Sequence, residues 1–229
     1  GIQGGLIGHT NSGSDSGSSV TIDNSFAATV MDGRENGTTG DLIGTVGGLI
    51  GQADCAVNIK NCYADSYLTG AVTGGLVGLV SSGSVNVESC YTAGYQNPAN
   101  HGGGFVASSF DSNALKIKNS YTVVTYLENR ESANNPVIYA VSPGTLENVY
   151  YLNKGKNVEN DNGEAVDYLT FSNKAKMAEK LNNNGSNSFT TSTTTYAYNL
   201  RNQGLTSYSY PSLKDISHYG DWQASYEAG

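Results

Sequence analysis

The sequence predicts an all-β fold: a right-handed parallel β-helix (a β-solenoid) of about four to five coils, closed by a small C-terminal capping segment with one helix. Three observations predict it. A strand pattern ending in an aromatic residue recurs with a period of about 29, inside the solenoid range. A glycine-framed apolar segment recurs between its copies. The composition, with 29 Gly, 16 Tyr and only 14% charged residues, suits short strands joined by Gly and Asn turns and not helical bundles.

The strand pattern reads Val20–Phe26, Val57–Tyr63, Val85–Tyr91 and Leu115–Tyr121, with a worn copy at Gly144–Tyr150. Its closing aromatics Phe26, Tyr63, Tyr91, Tyr121 and Tyr150 lie 37, 28, 30 and 29 residues apart. Within each copy the aliphatic pair (Val20/Ile22, Val57/Ile59, Val85/Val87, Leu115/Ile117) has period 2 and points to one strand face. A single coil cannot bury that face, but stacked neighbours can. Thr21, Asn58, Asn86 and Lys116, with Asp23, Lys60, Glu88, Lys118 and Glu147, read as the solvent face. Asp23, Lys60 and Glu88 alternate in sign, so opposite charges should adjoin on neighbouring strands.

The next column is Asn24, Asn61, Ser89, Asn119 and Asn148. Asn tolerates the left-handed conformation that a corner needs, and stacked Asn side chains can form a ladder. A small column follows: Ser25, Cys62, Cys90, Ser120 and Val149. Either it or the aromatic column could face inward. Five aromatics in five copies favour a buried or half-buried aromatic stack through Tyr63, Tyr91 and Tyr121.

The glycine-framed segment is Gly4–Gly8, Gly47–Gly51 and Gly74–Gly78, with weaker copies at Gly103–Ala107 and Val137–Val141. Leu49, Leu76 and Phe105 are its apolar centres, and the Gly pairs suit a tight corner or close approach of backbones. Each coil therefore reads as a Gly-flanked strand, a turn, an alternating strand and a loop, with variable loops at 9–19, 31–45, 94–101 and 126–136. No helix pattern and no GK[ST] follows these glycines, so they are not phosphate loops.

The repeat ends near residue 152, which divides the chain into repeats (1–152) and a C-terminal loop, helix and aromatic cap (153–229) packed on the last coil. Ser172–Leu181 reads as one helix N-capped by Ser172. The tail is aromatic and holds the only Trp, Trp222. Solenoids need a terminal segment of different sequence to cover their last edge. The opening GIQGGLIG starts inside a repeat-like motif, which points to a piece of a longer protein.

The patterns G-G-L-[IV]-G and [VI]-x-[IV]-x-[NS]-[CS]-Y resemble the GLUG-motif repeats of bacterial surface proteins. The resemblance covers residues 1–152 and is most specific at 47–63 and 74–91. It implies a β-solenoid at the extracellular bacterial surface, and it transfers no catalytic residue.

The remaining chemistry is sparse. A net charge of −8 disfavours nucleic acid and anionic membrane as partners, and none is expected. No apolar run of about 18 residues predicts a membrane span. Cys55, Cys62 and Cys90 fit no metal spacing. Cys62 and Cys90 occupy equivalent positions, close enough for a disulfide but with parallel Cβ directions that suit two stacked thiols. Glu159, Asp161, Glu164 and Asp167 could hold calcium or form a solvated loop. Asp41, Asp54, Asp65 and Asp111 are scattered acids, and His9, His101 and His218 each read as isolated. Tyr67, Tyr95, Tyr126 and Tyr151 could line an exposed aromatic strip that contacts sugars or protein. The expected function is a non-enzymatic, monomeric adhesin-like module or stalk without cofactor, presenting loops to host protein or glycan. A carbohydrate-active β-helix enzyme and a purely structural spacer are the alternatives.

Overall fold

A computed structural model describes residues 1–11, 17–34, 41–110, 115–127, 134–139, 144–152, 163–182, 188–190, 194–196, 206–208 and 211–214. It is mostly β, with its strands in parallel sheets and few helices. Equivalent positions of successive repeats pair directly. In one row Val20, Val57, Val85 and Leu115 are register partners, and Ile22, Ile59, Val87 and Ile117 pair beside them. A second row stacks Ile7–Thr10, Ile50–Ala53, Val77–Val80 and Val106–Ser109. A third joins Phe26, Tyr63, Tyr91, Tyr121 and Tyr150.

The alternating strands behave as their period-2 pattern requires. Leu49, Ile59, Leu76, Val87, Phe105 and Ile117 are buried in one core with Val57, Val85 and Leu115. Thr21, Asp23, Asn58, Lys60, Lys116, Lys118 and Glu147 are exposed, and Asn86 and Glu88 are half-buried. Glu88 lies between two lysines, 4.0 Å from Lys60 and 3.4 Å from Lys118. Asn86 donates to Asn58 Oδ1 at 3.0 Å.

Asn24, Asn61, Ser89, Asn119 and Asn148 all have positive φ, between 47° and 54°. Asn accepts this region more readily than other residues with a Cβ. The turn at this column resolves which neighbour faces inward, because both do. Cys62 and Cys90 point into the core with Ile59 and Val87. Tyr63, Tyr91, Tyr121 and Tyr150 point into a second buried cluster with Phe171, Met177, Leu181 and Phe189. The Asn ladder forms in part: Asn148 donates to Asn119 Oδ1 at 3.0 Å, but Ser89 interrupts the column and Asn61 Oδ1 is buried without a partner.

The glycine-framed segments correct the expected element. They are not single strands: Gly48-Leu49 and Gly75-Leu76 are bends between the strands Thr45–Gly47 and Ile50–Ala53, and between Tyr63–Gly74 and Val77–Val80. The reason is backbone proximity. A Cβ on Gly74 would lie 1.8 Å from Val77 O, and one on Gly75 would lie 1.8 Å from Gly104 O. Residues 94–101 are likewise no loop. They belong to the strand Tyr91–Gly103, which pairs with Tyr63–Gly74 across a register shift at Pro98/His101. Backbone hydrogen bonding to an in-register neighbour outweighs a sequence that reads as polar and turn-rich.

Beyond Leu152 stacking continues for one more strand, Glu164–Val166, parallel to Tyr150–Leu152. Two helices follow where one was expected, α1 (Tyr168–Ser172) and α2 (Lys174–Leu181). Ser172 ends α1 and caps nothing. Asp167 caps α1 by accepting from Thr170 N at 2.7 Å, and Asn173 caps α2 by accepting from Lys176 N at 3.2 Å. The two Asx caps place a helix start on each side of Ser172. Phe171, Met177 and Leu181 pack on the aromatic row, and the Tyr121 hydroxyl donates to Pro211 O at 2.5 Å. Trp222 and His218 lie outside the described residues.

Candidate functional site

The aromatic column forms a continuous stack. Ring centroids are 4.9 Å apart for Phe26–Tyr63, 4.8 Å for Tyr63–Tyr91 and 5.1 Å for Tyr91–Tyr121, and all three pairs are within 3° of coplanar. Tyr63, Tyr91 and Tyr121 are buried in one cluster with Phe171, Met177, Leu181 and Phe189, so they serve packing, and Phe26 is half-buried against that cluster. Tyr151 joins the main core and is not part of an exposed strip. Tyr126 donates its hydroxyl to Asn135 O at 2.8 Å.

That leaves Tyr67 and Tyr95 as the half-buried aromatic pair. They are register partners in neighbouring strands, 6.4 Å apart with planes tilted by 43°. Asp65 lies two residues before Tyr67 on the same strand, so it shares that strand face. It is half-buried, and burial pushes its carboxyl up to about 7.

A second polar cluster sits at the edge of the glycine-framed row. His9 and Gln52 are register partners, and Asp54 follows Gln52 by two residues. Asp54 Oδ2 contacts His9 Nε2 at 2.5 Å, and its Oδ1 accepts from Gln52 Nε2 at 3.0 Å and from the Ser81 hydroxyl. Ser82 donates to Asp54 O at 2.8 Å, and Asp54 N donates to Thr10 Oγ1 at 3.0 Å. Burial acts to raise the Asp54 pKa, but the hydrogen bonds from Ser81, Gln52 and His9 outweigh it and hold the carboxyl below its ordinary value. His9 is therefore not isolated, which corrects the sequence reading.

The order of groups decides what this cluster can do. Nucleophilic catalysis of the Ser–His–Asp type places the imidazole between hydroxyl and carboxylate. Here the carboxylate is in the middle, with His9 on one oxygen and Ser81 on the other. His9 Nε2 and the Ser81 hydroxyl both bond the Asp54 carboxylate, which is not the order that activates a serine. The cluster instead ties three successive repeats together, through His9, Asp54 and Ser81.

Compared with protein-family models, curated proteins and solved structures, the chain matches none.

The other predicted residues fall as follows. His101 stacks on Tyr139 with centroids 4.6 Å apart, and burial lowers its pKa. Glu164 pairs with Lys180 at 3.0 Å, and Asp167 is a helix cap. Glu159, Asp161 and Asp111 lie outside the described residues, and among the described residues no group of acidic, His or Cys side chains could hold a metal. No described helix is long and apolar enough to cross a membrane.

Cys55, Cys62 and Cys90 are free and buried. The small column has a chemistry that size alone did not announce. Ser25, Cys62, Cys90 and Ser120 each donate to the carbonyl two residues back, at 2.8, 3.0, 3.2 and 2.7 Å. Cys62 N and Cys90 N in turn donate to the side chain of the next repeat, at 3.4 Å to Cys90 Sγ and 3.0 Å to Ser120 Oγ. The Asp54–Ser81 contact was also available in the sequence, since the two are 27 residues apart, close to one repeat.

Proposed function

We propose that this chain is a right-handed parallel β-helix of four to five coils and a non-enzymatic module of the extracellular bacterial surface. In this reading it is related to GLUG-motif repeats and acts as an adhesin-like segment or stalk that meets host protein or glycan. The observation that carries the proposal is the shared register of four repeats, Val20, Val57, Val85 and Leu115. A scaffold built this way is stiff, and its polar side chains are engaged between repeats, as with Asp54 and Glu88. The Tyr67–Tyr95 pair beside Asp65 is the contact face we assign, since tilted, half-buried rings offer area to sugar or protein at low entropic cost.

The test is binding of residues 1–229 to arrays of glycans and matrix proteins, repeated with Tyr67→Ala and Tyr95→Ala. Binding that both substitutions weaken supports the reading. An array without any bound ligand leaves the spacer as the function.

One observation favours the enzymatic alternative. A carboxyl titrating at about 7 is suited to general acid work near neutral pH, and a glycosidase would pair it with a second carboxylate. Turnover on a polysaccharide panel, lost on Asp65→Asn in a folded chain, would replace the adhesin reading with that one.

A further inference from the structure

The strands Tyr63–Gly74 and Tyr91–Gly103 share one outward face, and other strands of the chain pair with them on both sides. Tyr67 is register partner of Val30 on one side and of Tyr95 on the other, and Tyr95 is in turn partner of Thr125. Tyr67 and Tyr95 are both half-buried, with centroids 6.4 Å apart and planes tilted by 43°. Asp65 is register partner of Ala93. By strand alternation it lies on the face of Tyr67, about 7 Å along the strand. It is half-buried, and its carboxyl has no hydrogen bond or ion pair among the described residues.

Charge says what fits there. Asp32, register partner of Thr69 on the same pair of strands, accepts from Arg34 Nε at 2.9 Å on each carboxyl oxygen. The guanidinium of Arg34 is thus committed to Asp32, and Asp65 is left as an uncompensated acid beside two rings. Burial disfavours its ionised form, whereas a cation within about 4–6 Å favours it. The faces of the two rings attract a cation as well. A second acceptor stands at the other end of the pair. Asn97 follows Tyr95 by two residues on the same strand face, and its Oδ1 is buried without a partner. A half-turn of the amide exchanges Oδ1 with Nδ2 and offers the acceptor outward. The rings are therefore bracketed by two groups that want donors.

We propose that this face binds a glycan bearing free amines, with the ammonium of one amino sugar on Asp65 and successive sugar rings against Tyr67 and Tyr95. The inference rests on the contact face assigned above and gives that face its ligand class. The ammonium N–H groups donate to the Asp65 carboxylate, and a hydroxyl of a following sugar donates to Asn97 Oδ1. The groups lie in succession along the strand direction and not around a hole, which suits rings linked in a row. The tilt between Tyr67 and Tyr95 suits neighbouring sugar rings that are turned relative to one another. A lysine side chain would bring the cation, but its flexible stem gives neither ring a flat partner. A neutral sugar leaves Asp65 uncompensated, and an acidic one is repelled by it.

The test titrates residues 1–229 calorimetrically, at neutral pH and low salt, with a linear tetrasaccharide of glucosamine and with its fully N-acetylated form. Acetylation removes the charge and keeps the sugar rings. The native chain should bind the amine form about tenfold more tightly, the size of one charge-assisted hydrogen bond. Asp65→Asn, which keeps the side-chain shape and is checked for folding by circular dichroism, should erase that preference and leave binding of the acetylated form unchanged. Tyr67→Ala should weaken both forms. Equal binding of the two forms that Tyr67→Ala still weakens overturns the amine and keeps the contact face. Binding that neither Tyr67→Ala nor Tyr95→Ala alters overturns the contact face itself. Absence of binding by either form overturns the inference. So does tighter binding of a tetralysine peptide that Asp65→Asn abolishes, since the partner would then be a polypeptide.

Discussion

Tyr63 and Tyr91, 28 residues apart in the chain, lie with ring centroids 4.8 Å apart and planes within 2° of parallel. That separation is the spacing of adjacent strands in a sheet, so the rings repeat at the same interval as the backbone. Replacing Tyr91 with Ala removes a fully buried ring from between two others. The expected cost is about 3–5 kcal/mol, the range for large aromatic truncations in cores, read as a fall in denaturant midpoint.

The corner column gives a prediction about order, not size alone. Asn61 has φ 49° and a buried, unpartnered Oδ1. Asn61→Gly removes that oxygen and keeps access to positive φ, so its stability should stay near that of the native chain. Asn61→Val places a β-branched residue in a region that costs about 1–2 kcal/mol. Chemical denaturation should rank Gly above Val; the reverse ranking would show that this corner does not select the residue by backbone conformation.

Gly75→Ala should be among the most damaging single-methyl changes. Its Cβ would meet the backbone at Gly104 O, at 1.8 Å, whereas a Cβ at Gly17 meets nothing within 4 Å. Backbone cannot rotate away as a side chain can, so the rows must separate. Thermal unfolding should show Gly17→Ala near the native Tm and Gly75→Ala far below it.

Asp65 makes stability depend on pH in an uncommon direction. Burial raises its folded pKa to about 7, well above the ordinary carboxyl value of 3.8. The folded state thus favours the protonated acid, and the penalty for ionising it grows as pH rises from the unfolded value through about 7, then stays constant. Asp65→Asn should be more stable than the native chain at pH 8 (roughly one unit above that pKa), and the gap should close as pH falls toward the unfolded value. Tm against pH for both chains checks this, and a constant gap would refute it.

The Asp54 cluster predicts a structural and not a chemical phenotype. Asp54→Ala leaves His9, Gln52 and Ser81 without their shared acceptor, at a cost of about 1–3 kcal/mol. Ser81 should not label with a fluorophosphonate, because His9 cannot activate it. Labelling of Ser81 would mean that the imidazole reaches the hydroxyl by some rearrangement.

Columns were the legible part of this fold. Val57, Ile59, Val87 and Ile117 announce a buried face by alternation, and the Asn column announces a corner by residue type. Chain direction across the rows was legible too, since equivalent positions can pair only in parallel. What stayed hidden was long-range and local in turn. The strand Tyr91–Gly103 depends on a neighbour for its hydrogen bonds, and no periodicity in 94–101 reveals it. Two Asx caps divide the helical segment at Asn173, where an amphipathic stripe reads as one helix. At the candidate site Tyr67 and Tyr95 stand out in sequence as part of an aromatic strip, whereas Asp65 reads as one scattered acid among four, because desolvation is a property of the packed surroundings. His9 escaped notice since its longer first repeat shifts it away from the 29-residue spacing.

The three thiols have a use that their packing creates. Cys55, Cys62 and Cys90 are each buried and unbridged, the first two in one repeat and Cys90 in the next. Burial pushes the Cys90 thiol up, which keeps it as the unreactive protonated form. Because all three thiols are buried, modification at each must wait for the structure around it to open. Timed alkylation followed by mass spectrometry would give one opening clock per cysteine, and the ratio of the clocks would say whether the chain unzips from an end or comes apart all at once.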